Sequence, residues 1–406
     1  MLAPLYWIAL GLVLYTYLGY GLVAWFWARW ARRGRPAVAT TYEPTVTLVV
    51  PAYNEADILD AKVRNCLALD YPADKLRLLV ITDGSTDHSA QVLARHPRVQ
   101  HLHAAPRAGK SAAENRAIQH VTTPYVVFTD CNTDLNTGAI RELVKHYQDP
   151  RVGAVSGEKR VQRDGSTAGS GEGLYWRYES LLKRCDSDIR SLMGAAGELV
   201  SFRTELFAPL EHDTILDDFV QSLRIVEAGY RVVYEPGAYA MEPPSFSLAE
   251  EWKRKVRICA GGWQAMARLT GLLNPLRQPA VTFLYVSHRV LRWSLTPLLL
   301  ALLLPLGAAL AVTAGGYYSW LLAGQVVFYG AALGGWLQGQ RREPHKALLV
   351  PLYFCLMNLA VFAGFWRFVR KAQPAAWDKA QRAATQLASQ PVGAAAASLT
   401  ASPFQS

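Results

Sequence analysis

Three sets of polar residues stand where predicted strands run out. Asn54-Glu55 follows the run Val46–Val50 and Pro51. Asp83 follows Leu76–Thr82. Asp130 follows Tyr125–Thr129, with Asn132 two residues on and Asp134 beyond it. In an open α/β sheet that rim is where ligands bind. Acidic groups gathered on one rim repel each other unless a cation or a hydrogen-bonding ligand joins them. A metal-held diphosphate carrying a sugar or a base is a natural occupant, because magnesium and manganese favour carboxylate and phosphate oxygens together. Further on, the adjacent pair Asp217-Asp218 offers a base for an attacking hydroxyl, with Asp217 raising the pKa of Asp218 by like-charge repulsion. Each group also has a bland reading. Asp83-Gly84-Ser85-Thr86-Asp87 makes an ordinary turn and cap, Asp130–Asp134 another turn, and Asp217-Asp218 an ordinary helix start. Lys110 reads as a solvated helix-start charge, and His96, His101 and His103 as surface or turn residues without an acidic partner. The combination on successive strand ends is what separates a site from scattered turns.

The elements that must position these residues alternate. Strands are expected at Val46–Val50, Leu76–Thr82, Val99–His103 and Tyr125–Thr129. Helices are expected at Asp57–Leu69, Ser89–His96 and Ala108–Gln119. The order β-α-β-α-β-α-β predicts an α/β fold with a mostly parallel sheet covered on both faces. No Gly-x-Gly-x-x-Gly or Gly-x4-Gly-Lys-Ser/Thr loop follows the first strand, which argues against the usual dinucleotide and ATP sites.

Composition places this domain beside a membrane. Of 406 residues, 51% are hydrophobic and only 18% charged, which excludes a disordered chain. Five Cys without a Cys-x-x-Cys pair support neither a disulfide scaffold nor a zinc framework. Leu2–Trp27 holds no charged residue and is followed by Arg29, Arg32, Arg33 and Arg35. As a helix of roughly 39 Å it crosses a bilayer, with Trp25, Trp27 and Trp30 in an interfacial belt; its bland reading is a buried core helix. The positive-inside rule puts its start outside and the following segment in the cytoplasm. A second apolar zone, about Val281–Val369, contains Leu298–Val312, Gly315–Leu337 and Ala347–Phe368 as three candidate segments, broken by Gln338–Lys346 with Arg341 and Arg342. Three crossings would leave the tail outside, whereas Arg367, Arg370, Lys371, Lys379 and Arg382 favour a cytoplasmic tail; Ala347–Phe368, basic on both flanks, is the segment in tension with that rule. Ser247–Leu269 mixes Trp252, Val256, Ile258, Trp263 and Met266 with Lys253, Arg254, Lys255, Arg257 and Arg268, the pattern of an interfacial helix on anionic lipid. No nucleic-acid motif accompanies these charges, so the net +10 is assigned to this helix and the membrane flanks rather than to nucleic acid.

The ordered set Pro51-Ala52-Tyr53-Asn54-Glu55, Asp83-Gly84-Ser85, Gly109-Lys110, Asn115, Asp130-Cys131-Asn132, Gly194–Glu198, Asp217-Asp218-Phe219, Gly229–Val232, Tyr234-Glu235-Pro236, Arg254–Arg257 and Trp377-Asp378-Lys379 resembles the family-2 glycosyltransferases. Within them it is similar to the membrane-embedded branch of cellulose, hyaluronan and poly-N-acetylglucosamine synthases, over about residues 1–382. The resemblance implies a nucleotide-diphospho-sugar transferase fold, Rossmann-like, with transmembrane helices. It implies that Ala52, Tyr53 and Glu55 line the nucleotide pocket, that Asp83 accepts from the uracil edge, and that Lys110 sits near the uridine or phosphates. Asp130 and Asn132 match the metal-holding Asp-x-Asp. Asp218 matches the catalytic base, Gly197 and Glu198 sit near the acceptor, and Arg257 matches the Arg of Gln-x-x-Arg-Trp that supports the leaving diphosphate.

There are departures. Asn132 replaces the second Asp and brings no charge, Thr82 stands where Asp is frequent, and Ile258 replaces the Trp that gives a polymer end its stacking face, with Trp263 a substitute one turn on. The expected organisation is a transmembrane helix over 1–30, a cytoplasmic transferase domain over 42–245, an interfacial helix over 246–275, about three membrane segments over 281–370 and a mostly disordered tail over 371–406. The expected function is transfer of a sugar from a UDP-sugar, with magnesium or manganese and inversion, to a glycan or lipid-linked acceptor at the cell inner membrane. Three readings stay open: extension of a polysaccharide, single-sugar transfer to a lipid carrier, and a degenerate non-catalytic membrane partner, the last motivated by Asn132.

Overall fold

The structure, a computed structural model, describes residues 2–32, 41–161, 167–243, 248–339 and 345–375. Arg33, Arg35, Arg341, Arg342, Trp377–Lys379, Arg382 and the tail Ala383–Ser406, each given a reading from the sequence, lie outside the described residues.

Eight strands form one sheet: β1 (Val46–Ala52), β2 (Leu76–Asp83), β3 (Val99–Ala104), β4 (Tyr125–Thr129), β5 (Asp134–Leu135), β6 (Val152–Val161), β7 (Leu199–Arg203) and β8 (Arg231–Glu242). Their spatial order is β3-β2-β1-β4-β7-β6-β8-β5. The expected strands all form, and β1 pairs in parallel with both β2 and β4 while β2 pairs in parallel with β3. The sequence reading did not foresee that β7 enters antiparallel between β4 and β6, or that β5 pairs antiparallel with β8. The sheet is therefore mixed, mostly parallel, as doubly covered α/β sheets with an inserted return strand are.

Strand alternation sorts the core into two layers. Val46, Leu48 and Val50 face a cluster built with α2 (Ala56–Leu67) and α5 (Ala139–Val144), through Leu59, Val63, Ile140 and Leu143. Between those helices lie α3 (Ser89–Leu93) and α4 (Lys110–Ile118). Val49, Leu79, Ile81 and Phe128 face the opposite cluster. It includes Ala113 and Ala117 of α4, Leu182 and Cys185 of α6 (Thr167–Ile189), Val220 and Leu223 of α7 (Asp217–Glu227) and Val256 and Cys259 of α8 (Leu248–Arg268).

That second layer also takes in the first apolar helix. Among the described residues four helices are long and apolar enough to cross a membrane: α1 (Leu2–Ala31), α10 (Leu295–Thr313), α11 (Tyr317–Gly339) and α12 (Lys346–Val369). α1 carries both sequence readings at once. Tyr6, Ala9 and Val13 pack with Leu303, Leu306 and Leu310 of α10, while Tyr20, Ala24 and Ala28 belong to the domain's own core. The second apolar zone divides similarly. α9 (Pro279–Tyr285) and the helical turns after it bury Val281, Leu284, Tyr285 and Trp293 in the domain core, so the candidate spans begin only at Leu295. α8 is amphipathic as expected, but its apolar side is covered by protein: Gly364 of α12 lies so close to Cys259 that a Cβ there would sit 2.5 Å from the Cys259 Cβ, and Gly261 abuts Leu216.

Candidate active site

The rim forms where β1, β2 and β4 end. The loops after β1 and β2 are tied together. Asn54, in the left-handed region at φ 53°, receives a hydrogen bond from the Thr86 amide at 2.8 Å and donates its own amide to Ser85 Oγ, and the Ala56 amide donates to Asp87. This tolerance of Asn for positive φ explains why it follows Tyr53. Arg107 lies 3.8 Å over the Tyr53 ring, leaving a cation and an aromatic face at the loop that was expected to line a nucleotide.

Asp83 is buried and already engaged. Its Oδ2 accepts from the amides of Ala108 and Gly109 at 3.0 and 2.7 Å, and its Oδ1 from Arg116 at 2.5 Å. It thus fixes the turn that launches α4 and aims Lys110. Gly109 adopts φ 93°, and Gly84, at φ 69°, has the Arg107 backbone nitrogen 2.7 Å from where a Cβ would stand. Gly84 is there because the two loops touch, and Gly109 because the turn before Lys110 takes a positive φ. The expected neighbour of Asp83, Thr82, shares its hydroxyl with His101 and His103 at 2.9 Å each. His96, read as lacking an acidic partner, has one: its Nε2 lies 2.8 Å from Asp60.

Lys110 is the centre of the cleft. Its Nζ donates to Asp130 Oδ1 at 2.8 Å and lies 3.3 Å from Asp217 and 3.9 Å from Glu114. A Cβ on Gly197 would sit 3.1 Å from both Lys110 Nζ and Asp218 Oδ2. The residue expected beside the acceptor therefore separates the cation from the expected base by no more than a backbone. Burial alone would lower Lys110, but the carboxylates of Asp130, Asp217 and Glu114 hold it well above the usual ammonium range. Burial and the neighbouring Asp217 charge push Asp218 up to about 7. Burial works against ionised Asp217 too, yet Lys110 brings it below its ordinary value. Two adjacent carboxyls are thus split in opposite directions, which is how acid and base roles are assigned in a buried site. Glu114 is pushed well up by burial and by Asp217.

α8 holds this pair in place. Arg257 donates to the Ile215 carbonyl at 2.9 Å, Gln264 bonds the Ile215 amide and the Asp213 carbonyl, and Arg268 reaches Thr214 and Asp213. From the other side Asn115 brackets Leu210 with two hydrogen bonds and Ser111 donates to the Thr214 carbonyl. The segment before Asp217 is therefore clamped between α4 and α8. Burial pulls Arg257 down, opposed by the charges of Asp217, Asp218 and Asp130. Trp263, one turn on, does not reach the cleft; its ring packs 4.7 Å from Phe365 of α12.

A divalent cation fits the mouth of the cleft. Asp130 is pushed up by burial and by Glu198 and Glu242, against the pull of Lys110, so a further positive charge would be accommodated. The Asn132 side chain lies 3.4 Å from Glu242. Among the described residues no three His, Cys, Asp or Glu side chains are grouped to cage a metal. Asp130 and Asn132 would supply only part of the shell, as magnesium-type sites completed by a substrate's phosphates do. Asp134, weighed as a replacement for the missing carboxylate, is exposed on β5, paired with Met241. Glu198, expected near the acceptor, is held by Lys159 at 2.6 Å, which overcomes burial and brings it to about 2; Lys159 also pairs with Glu242. Lys159 and Glu242 went unnoticed in the sequence. Their signal was faint: charged residues in strands β6 and β8 that turn out to be buried.

Residues 47–203 match the model of glycosyl transferase family 2. A poly-beta-1,6-N-acetyl-D-glucosamine synthase of Staphylococcus aureus (strain MSSA476) is 26% identical over 251 residues, covering 59% of this chain and 60% of that protein. An N-acetylglucosaminyltransferase of Rhizobium sp. (strain N33) is 26% identical over 284 residues, covering 66% and 62%. The chain thus spans about 60% of the length of these curated relatives. Among solved structures, a mannosyltransferase of Pyrobaculum calidifontis in complex with GDP-Man and Mn2+ superposes with a TM-score of 0.69 at 26% identity, over 90% of this chain and 99% of that one. The strand order, the acidic rim and these likenesses converge: residues 47–203 form a domain similar to those of glycosyl transferase family 2, with the overall fold shared by the mannosyltransferase, joined to helices able to cross a membrane.

Proposed function

We propose that this chain is an inner-membrane glycosyltransferase, with its catalytic domain on the cytoplasmic side. It moves a sugar from a UDP-sugar to a glycan or lipid-linked acceptor, with inversion and with a divalent metal. The observation that carries this reading is the split pair Asp217-Asp218 beside Lys110 and Asp130, with only Gly197 between cation and base. Asp218 takes the proton of the attacking hydroxyl as the new bond to the anomeric carbon forms. Arg257 and Lys110 face the negative charge that builds on the departing diphosphate. Asp130 and Asn132 would hold the metal, which supplies charge neutralisation at that diphosphate. One base and one displacement give inversion. The likeness to the poly-N-acetylglucosamine synthases supports a polymer-extending role, and single transfer to a lipid carrier is the alternative.

Membranes carrying the protein, supplied with Mn2+ and radiolabelled UDP-sugars, with GDP-mannose in parallel, test the reading. Release of UDP with label in a sized product is expected, and a growing product favours the synthase over single addition. Turnover of GDP-mannose alone would remove the uridine assignment, and no nucleotide release from any donor would remove the function.

A further inference from the structure

Among the described residues four lysines are almost fully buried: Lys62, Lys159, Lys183 and Lys255. Three have oxygen partners. Lys62 donates to Thr133 O at 2.6 Å and to Thr129 Oγ1, Lys159 pairs with Glu198 and Glu242, and Lys255 lies 3.3 Å from Glu251. Lys183 is different. It is 6% exposed, and among the described residues it makes neither a hydrogen bond nor an ion pair; its one contact of this kind is the Trp176 ring, 5.7 Å from Nζ. A buried ammonium without an oxygen partner is costly, and an indole face offsets only part of that, on the order of 2 kcal/mol.

Its position indicates what it waits for. Lys159 lies over the same Trp176 ring at 5.2 Å and holds Glu198, which follows Gly197, the residue touching Asp218. Burial pulls Lys183 below the usual ammonium range; Glu179, itself taken up by Arg289 and Arg292, is its strongest charged neighbour, Arg289 repels it, and Glu198 and Asp218 are also within electrostatic reach. On the neighbouring stripe of α6, Tyr178 donates to Tyr17 O at 2.6 Å, Leu182 packs under Gly21 and Asp186 accepts from Tyr20, so this stripe lies against α1. Lys183 therefore stands between the base and the first membrane helix. In the transfer reaction proposed above, the donor's diphosphate has its own cations, Lys110 and Arg257.

We propose that Lys183 and the neighbouring Trp176 form an acceptor subsite for a phosphate ester, so that the acceptor is a sugar bearing phosphate on the side facing the membrane helices. Lys183 makes and breaks no bond; it holds the phosphate as a point charge while Asp218 faces the sugar hydroxyl. This rests on the transfer reaction proposed above.

Purified full-length protein is given the donor found by the screen and two acceptors with the same sugar and tail: dodecyl N-acetylglucosaminide, and N-acetylglucosamine joined to dodecanol through a phosphodiester. The phosphate-bearing acceptor is expected to have a KM at least tenfold lower. Lys183→Met is expected to erase that difference, while nucleotide release without acceptor and the melting temperature are not lowered. Lys183→Arg is expected to keep most of it. Calorimetric binding of the phosphodiester without donor, lost in Lys183→Met, reads the subsite even if transfer itself fails. Equal use of both acceptors by the unaltered protein, or an undiminished preference in Lys183→Met, overturns the proposal. If inorganic phosphate raises turnover of the neutral acceptor to the level of the phosphodiester, the subsite takes a free anion and the acceptor-borne assignment falls.

Discussion

Two buried charge clusters in this chain are built on opposite terms. At the junction of α1, α6 and the turns before α10, both buried carboxylates have partners. Tyr20 donates to Asp186, His288 lies 2.5 Å from Asp186, and Glu179 takes Arg289 at 2.8 Å and Arg292 at 3.0 Å. In the cleft, Glu114, Asp130, Asp217 and Asp218 share Lys110 and the nearby Arg257. The first cluster is balanced and closes a joint. The second has more acid than base, displaces pKa values in both directions, and is poised for cationic and anionic guests. Charge surplus, more than burial, distinguishes a ligand site from structural glue.

Three measurements test this contrast. Asp218→Asn leaves size and shape unchanged, so transfer should fall by about 10³-fold with the melting temperature held or raised; a residual rate within tenfold of the unaltered protein would remove Asp218 as the base. Glu179→Gln should do the reverse. Leaving Arg289 and Arg292 without their carboxylate costs roughly 3–5 kcal/mol, seen as a lower melting temperature in detergent, and an unchanged one would mean that the junction is not a structural joint. The smallest effect is in pH. With Asp218 near 7, the base is protonated below that value, so transfer should fall about tenfold per unit beneath it and level off above. The sign for stability is opposite: between the ordinary carboxylate range and 7 the folded chain holds a proton that the unfolded chain has released, so this group's contribution grows as pH falls. A profile flat from 5 to 8 would place the base elsewhere.

The rim was legible because strand ends are local signals. Val46–Val50 and Tyr125–Thr129 are buried runs closed by polar residues, and each chemistry-bearing group follows directly. What escaped depends on register and on distant partners. The engagement of Asp83 by the turn before Lys110 needs the loop after β3 folded back. Lys159 meets Glu242 only because β6 and β8 pair in parallel with a register shift beyond Gly157. The clamp from α8 onto Ile215 joins residues about forty positions apart, and its basic residues looked like a lipid-facing stripe because sequence cannot show which side α12 covers. The likeness of the apolar zones was misleading in one respect: Val281–Trp293 reads as membrane but closes the domain, since burial in protein and burial in lipid select the same side chains.

The continuity of α1 has a mechanical consequence. One helix carries outward-facing Leu5, Ile8, Leu14 and Leu18 and then, through a π-helical turn at Tyr15–Gly19, Tyr20, Ala24 and Ala28 of the domain core. The transferase-like domain is thus keyed to the apolar helices as a bolt is to its plate, and the altitude of the cleft over them is set by where that rod stops being greasy outside and starts being enclosed.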